Sequence, residues 1–257
     1  ATVYGYVYDE AGQPVANALV QMYSTNATTN AKGLFVFKAE KMDQLGTYIR
    51  VIKEGYLTAT DYLFPKAGSK EFSYIRMIRD KQDKSFESSV GGTIPFEGGG
   101  SITFPANAIR KDNGDSYSGK VTLTARFIDP TSPYLVDEMP GGLMGIDVNG
   151  NRVVMGTGGM FAVELRSPSG EKLNLKEGAK AEYAIPAKSK AKPASMPTWW
   201  FDTKDGLWKE EGHATLVNGQ YTGQVSHFSF WNVDAKFDLV RVCGTVVDSD
   251  GKPMDQA

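Results

Sequence analysis

The chain carries a single cysteine, Cys243, and only two histidines, His213 and His227, among 257 residues. One thiol allows no intrachain disulfide and no multi-cysteine metal cluster. Two histidines without His-x-x-Glu or His-Glu-x-x-His spacing cannot supply the three-ligand set of a catalytic zinc. Charge of one sign is missing as well: 28 basic residues stand against 30 acidic ones, for a net charge of −2. They are mixed along the chain, and no basic stripe could follow a phosphate backbone, so no nucleic-acid partner is expected. Apolar runs such as Leu34–Phe37 fall far short of the roughly 20 residues of a membrane helix, so no membrane span is expected. Gly98-Gly-Gly-Ser101 lacks the Lys-Ser/Thr and the helix that would make it a phosphate loop. Helical period is never held through three turns; Glu40–Leu45 is the one place where a short helical turn is expected.

Present instead are alternation, turns and a repeat. Val121, Leu123, Ala125 and Phe127 share one face of a strand with Thr122, Thr124 and Arg126 on the other, and Phe161, Val163 and Leu165 repeat the pattern. Turn pairs separate such runs: Lys32-Gly33, Asn113-Gly114, Asn149-Gly150, Ser169-Gly170, Asp205-Gly206 and Asn218-Gly219. The segment Val3–Ala18 returns without a gap as Val242–Ala257, with Gly5 on Gly244, Asp9 on Asp248, Gly12 on Gly251 and Pro14 on Pro253. A segment returning in register marks a tandem-module chain. The expected class is all-β: tandem antiparallel β-sandwiches, transthyretin-like or immunoglobulin-like, with little helix. Cys243 aligns with Tyr4 and is expected to be a small apolar filler in a strand. The start at Ala1 reads as a removed leader or a trimmed chain.

Three stretches in order, Gly5–Val20, Thr29–Phe37 and Tyr48–Tyr56, resemble the carboxypeptidase regulatory-like (transthyretin-like) β-sandwich, which implies a module over residues 1–80. Its motif residues have packing roles: Asp9 and Gly12 close a turn, Gly33 turns the next hairpin, and Tyr56 lids the core. After a polar linker, Asp80–Ser85, the stretch from Gly91 through Phe104-Pro105-Ala-Asn-Ala108-Ile109 to Pro130 is similar to the sandwich of zonula-occludens proteins, netrin receptors and ankyrins. That likeness implies a second region over 83–235, either whole or as sub-modules near 83–165 and 166–235. Its later half is similar to bacterial surface proteins and cartilage-matrix relatives in which both modules occur together. Residues 239–257 would be the first strand and turn of another regulatory-like module, expected to pack on the preceding module or to pair with a second copy.

Three features bear on chemistry. His227-Phe228-Ser229 resembles the cleavage site of function-to-find domains, where the chain is cut between Phe and Ser. In a strand, His227 and Ser229 would share a face, so the imidazole could serve as general base while Ser229 Oγ attacks the Phe228 carbonyl. The alternative is structural, with His227 bonded to a neighbouring strand and Phe228 and Phe230 in the core. Trp199, Trp200, Trp208 and Trp231 lie close in sequence; Trp199 or Trp200 with Asp202 could stack a sugar, whereas Trp208 and Trp231 read as core. Asp248-Ser-Asp250-Gly251 lacks the later ligands of a calcium loop and reads as a tight turn. Pro186–Pro197 reads as an exposed Lys- and Pro-rich loop. No metal and no cofactor are expected. The reading is a non-enzymatic, extracytoplasmic scaffold or adhesion module that meets a protein or glycan partner through its loops. Self-cleavage and carbohydrate binding are the alternatives.

Overall fold

The structure, a computed structural model, describes every residue except 39–40, 44–45, 239–244, 246–247, 251, 253 and 255–257. The expected helical turn at Glu40–Leu45 and the returning strand Val240–Val247 therefore fall outside the described residues. The described chain is all-β, with one four-residue helix.

The first module contains β1 (Thr2–Asp9), β2 (Leu19–Met22), β3 (Thr25–Thr28), β4 (Leu34–Phe37), β5 (Thr47–Ile52), β6 (Ala59–Leu63) and β7 (Lys70–Met77). They form two sheets, β4-β1-β7 and β3-β2-β5-β6. Period-2 alternation drives the packing: Val3, Val7, Phe35, Phe37, Ile75 and Met77 from one sheet meet Val20, Met22, Ile49 and Val51 from the other. Gly5 has a reason to be glycine, because a Cβ there would lie 2.2 Å from the Ser73 carbonyl oxygen of β7. The sheets are not wholly antiparallel as expected. β1 and β7 run parallel over eight residue pairs, Thr2↔Lys70 to Asp9↔Met77. They are the first and last strands of the module, so the long connection between them supplies the crossover that parallel pairing requires.

One turn recurs throughout. Asp9 Oδ1 accepts the N–H groups of Ala11 and Gln13, both at 2.9 Å, while Gly12 takes a positive φ of 73°. Asn30 does the same for Lys32 and Leu34, and Asp147 for Asn149 and Asn151. Asp248 accepts Asp250 N–H at 3.0 Å and Lys252 N–H at 2.9 Å, bond for bond as in the first copy. The short side chain fixes the turn by capping its N–H groups, and the glycine supplies the left-handed residue.

The second body contains β8 (Lys84–Glu87), β9 (Gly92–Pro95), β10 (Ser101–Phe104), β11 (Ile109–Lys111), β12 (Lys120–Ile128), α1 (Leu135–Glu138), β13 (Met144–Ile146), β14 (Arg152–Arg166), β15 (Lys172–Leu175), β16 (Ala181–Pro186), β17 (Ser195–Asp202), β18 (Leu207–Val217), β19 (Gln220–Val225) and β20 (Phe230–Asp238). Its strands join one 13-stranded sheet. Strands before and after residue 166 interleave in it: β10 pairs with β16, β11 with β15, and β14 with β20. The two halves are thus not separate hydrogen-bonded units. Five strands also close a ring, since β14 pairs with β20, β20 with β17, β17 with β18, β18 with β13 and β13 with β14. The β13–β18 pairing is parallel, like that of β1 and β7.

The modules are welded together. Leu57 and Ile78 of the first join Ile128, Met139, Met155, Trp199 and Trp208 of the second in one core cluster. The polar linker is fastened to both modules through Asp80: its N–H donates to the Gly55 carbonyl at 2.9 Å, and its carboxylate accepts Thr124 Oγ1 at 2.7 Å and Arg166 Nε at 3.0 Å. Arg126 reaches across to Glu10 and to Glu138.

Candidate functional site: the cleft between the modules

A cleft of about 740 Å³ opens where the modules meet. Arg50, Tyr56 and Thr58 line it from the first module; Glu164, Trp200, Asp202, Lys204, Glu211 and residues 227–230 line it from the second. Five residues that the sequence offered in two unrelated motifs, Trp200, Asp202, His227, Phe228 and Ser229, thus converge on one cavity. Strand pairing explains it: β17 is the neighbour of β20, with Trp200 opposite Trp231, and residues 226–229 are the bend that leads into β20.

Trp199 goes the other way. A register shift between Pro197 and Trp199 interrupts the β17–β18 ladder. Thr198 and Trp199 are consequently both buried, while Trp200 and Asp202 are half-exposed. Trp199 is fully enclosed and donates Nε1–H to the Asp234 carbonyl at 3.2 Å, so it offers no face to a ligand. Trp208 and Trp231 are also fully buried, and their indole N–H groups donate to the carbonyls of Gly142 and His227, each at 3.0 Å. Every enclosed indole thus has its hydrogen bond, as burial demands.

His227 stands edge-on to Trp200, with centroids 4.9 Å apart at 88°, and 5.0 Å from the Trp231 ring. Its Nε2 is 4.0 Å from Glu211. Burial among these rings lowers the imidazole pKa, and the Glu211 and Asp202 carboxylates oppose that shift. The strand geometry expected for the triplet is absent: 227–229 is a bend. Ser229 Oγ donates to the Phe230 carbonyl at 3.0 Å instead of to His227, and Phe228 N–H donates to Asn174 Oδ1 at 3.0 Å. Among the described hydrogen bonds none joins His227 to Ser229. Phe228 is core, packed 5.4 Å from Phe104, whereas Phe230 is only half-buried.

The wall also carries cations that sequence reasoning missed. Arg110 donates to the carbonyls of Leu175 (2.8 Å) and Lys111 (3.1 Å), and Arg50 to Gln21 Oε1 (2.6 Å). Neither has a carboxylate partner among the described ion pairs. Both lie outside every motif, and only the fold brings them to the cleft. A second polar group is sealed within the sheet. Asn232 Nδ2 donates to Asp234 Oδ2 at 2.7 Å, Thr157 Oγ1 lies 3.0 Å from Asn232 Oδ1, and Gly158 N–H reaches Asp234 Oδ1 at 3.3 Å. Burial holds the Asp234 carboxyl well above the usual range, against the hydrogen bonds from Thr157 and Gly158. Among the described residues no cluster of three His, Cys, Asp or Glu side chains could hold a metal.

No family model matches the chain. It is similar to human cartilage intermediate layer protein 2, with 28% identity over 155 residues, covering 58% of this chain and 13% of that protein. Human cartilage intermediate layer protein 1 is 25% identical over 220 residues, covering 80% of this chain and 18% of the relative. The chain thus spans less than a fifth of either relative. Among solved structures, the major pilin subunit of Bacillus cereus covers 98% of this chain and 91% of its own length, at 11% identity and a TM-score of 0.26.

Proposed function

We propose that this chain is a non-enzymatic, extracytoplasmic adhesion-type module pair, whose inter-module cleft is a contact site for a protein or glycan partner. The observation that carries the reading is the convergence of Trp200, Asp202, His227 and the cations Arg50 and Arg110 on one cavity between the two packed sandwiches. Loops and clefts held by a rigid scaffold are where binding residues collect. The similarity to cartilage intermediate layer proteins supports the location. A sugar ring stacking on half-exposed Trp200 with Asp202 as its hydrogen-bond acceptor is the glycan form of the same proposal.

Titration with a broad glycan panel and with matrix proteins, followed by tryptophan fluorescence, tests it. The expected result is a saturable change lost in Trp200→Ala; flat curves throughout would remove the cleft as a contact site. Intact mass separates the self-processing alternative, which requires a fragment beginning at Ser229 that disappears in Ser229→Ala.

A further inference from the structure

The outward face of the β4-β1-β7 sheet is built unlike an ordinary solvated surface. Strand register sets out its side chains row by row: Thr2 beside Lys70, then Val36–Tyr4–Phe72, then Leu34–Tyr6–Tyr74, then Tyr8 beside Arg76. Five aromatics form a connected platform. Tyr4 and Phe72 are 5.4 Å apart, Phe72 and Tyr6 6.2 Å, Tyr6 and Tyr8 6.0 Å, and Tyr8 and Tyr74 5.4 Å. Phe72 is 49% exposed, and Tyr4 and Tyr74 are each 37% exposed. Along β1 the platform runs about 13 Å, at about 3.3 Å per residue, the span of an oligosaccharide rather than of one ring.

The internal repeat separates what the sandwich needs from what this face carries. Along β1 the positions that face the core are the same residues in the second copy: Val3 and Val242, Gly5 and Gly244, Val7 and Val246, Asp9 and Asp248. The outward positions are not, with Tyr4, Tyr6 and Tyr8 answered by Cys243, Thr245 and Val247. Since alternate residues serve opposite faces, the inward set specifies the sandwich and the outward set is free to specify something else.

We infer that this face is a binding platform for an acidic polysaccharide, lying flat on the tyrosines with its anionic groups toward Lys38 and Lys70. Charge selects the ligand. The outward positions of the three strands hold Lys70 and Arg76 and no carboxylate, and exposed Lys38 follows β4 directly. Arg76 is already engaged by Glu138 and by the Tyr134 ring, and Asp137 of α1 acts on Tyr74, so the far end is closed to an anion. Chemistry selects it too. None of the hydroxyls of Tyr4, Tyr6, Tyr8 and Tyr74 has a protein hydrogen bond among the described residues. A second copy laid on this face would bring two more lysines and no carboxylate to pair with Lys38 and Lys70. A polysaccharide brings apolar ring faces for the aromatics and hydroxyls for the phenols.

The test is calorimetric titration of the full chain with alginate, polygalacturonate and heparin, against neutral dextran and xyloglucan. At least one acidic polymer should bind and the neutral ones should not. Affinity should fall about tenfold or more in Tyr6→Thr/Tyr8→Val, which installs residues the second copy already carries. It should fall in Lys38→Gln/Lys70→Gln and in about 1 M salt, where screening extends only about 3 Å. It should be unchanged in Trp200→Ala, which separates this face from the cleft. If the tyrosine pair lowers the unfolding midpoint, Phe72→Ser/Tyr74→Ser on β7 replaces it. No heat with any polymer, equal binding of neutral polymers, binding indifferent to both aromatic pairs, or dimerisation abolished by them would each overturn the inference.

Discussion

The buried apolar cluster of the first module is Val, Ile, Met, Phe and Ala, and the polar side chains buried with it are Asp9 and small hydroxyls such as Thr29, Thr47 and Ser73. The second body encloses Trp199, Trp208 and Trp231, and seals Asn232 and Asp234 among its strands. The first core is mainly two alternating faces brought together, with its buried hydroxyls bonded locally, as Thr29 is to Val15 and Ala18. The second is assembled from bent and interrupted strands, whose irregularities leave polar groups inside that must find partners. The difference teaches where each is vulnerable: the first to added volume, the second to lost volume and to ionisation.

The largest effect is expected from Trp199→Ala, which empties the ring and orphans the Asp234 carbonyl. Denaturant unfolding should show a loss of about 3–5 kcal/mol. Because Leu57 and Ile78 share that core, the loss should appear in one cooperative transition; two separated transitions would show that the modules are not welded. Next comes Gly5→Ala, where the new methyl meets a backbone oxygen that cannot swing aside. Overpacking of this kind costs about 1–3 kcal/mol, and an unchanged midpoint would mean that β1 and β7 can part. The smallest effect is in Asp234→Asn. A carboxyl whose folded pKa lies above its unfolded value gives its full stability below the unfolded pKa and loses it as pH rises through the folded one. The variant should therefore melt close to the parent near pH 4 and above it near pH 8, by about 2–4 °C for each kcal/mol recovered. A difference that does not grow with pH would mean that Asp234 ionises normally.

Much of the first module was legible because its rules are local. Asp9 with Gly12 and Lys32-Gly33 announce its turns. In the second body Val121–Phe127 and Phe161–Leu165 were legible for the same reason and sit opposite one another in β12 and β14. What alternation cannot announce is which strands pair. The parallel β1–β7 ladder, the ring closed by β13 and the shift that buries Trp199 all rest on long-range contacts. The cleft was half visible: Trp200, Asp202 and His227 stand in motifs, but Arg50 and Arg110 gain meaning only from the fold. The tyrosine face was hidden because period 2 separates two sides of a strand without saying which is inside. Tyr4 is exposed on that face, while Cys243, which aligns with it and was expected to be an apolar filler, lies outside the described residues.

The β1–β7 ladder also sets how the first module carries a load. Tension applied at Thr2 and Met77 would pull two parallel strands lengthwise past each other. All eight registered pairs would then resist together, where a hairpin pulled at its open end yields one rung at a time. A module with its terminal strands laid side by side in the same direction is thus braced against stretching along its own length.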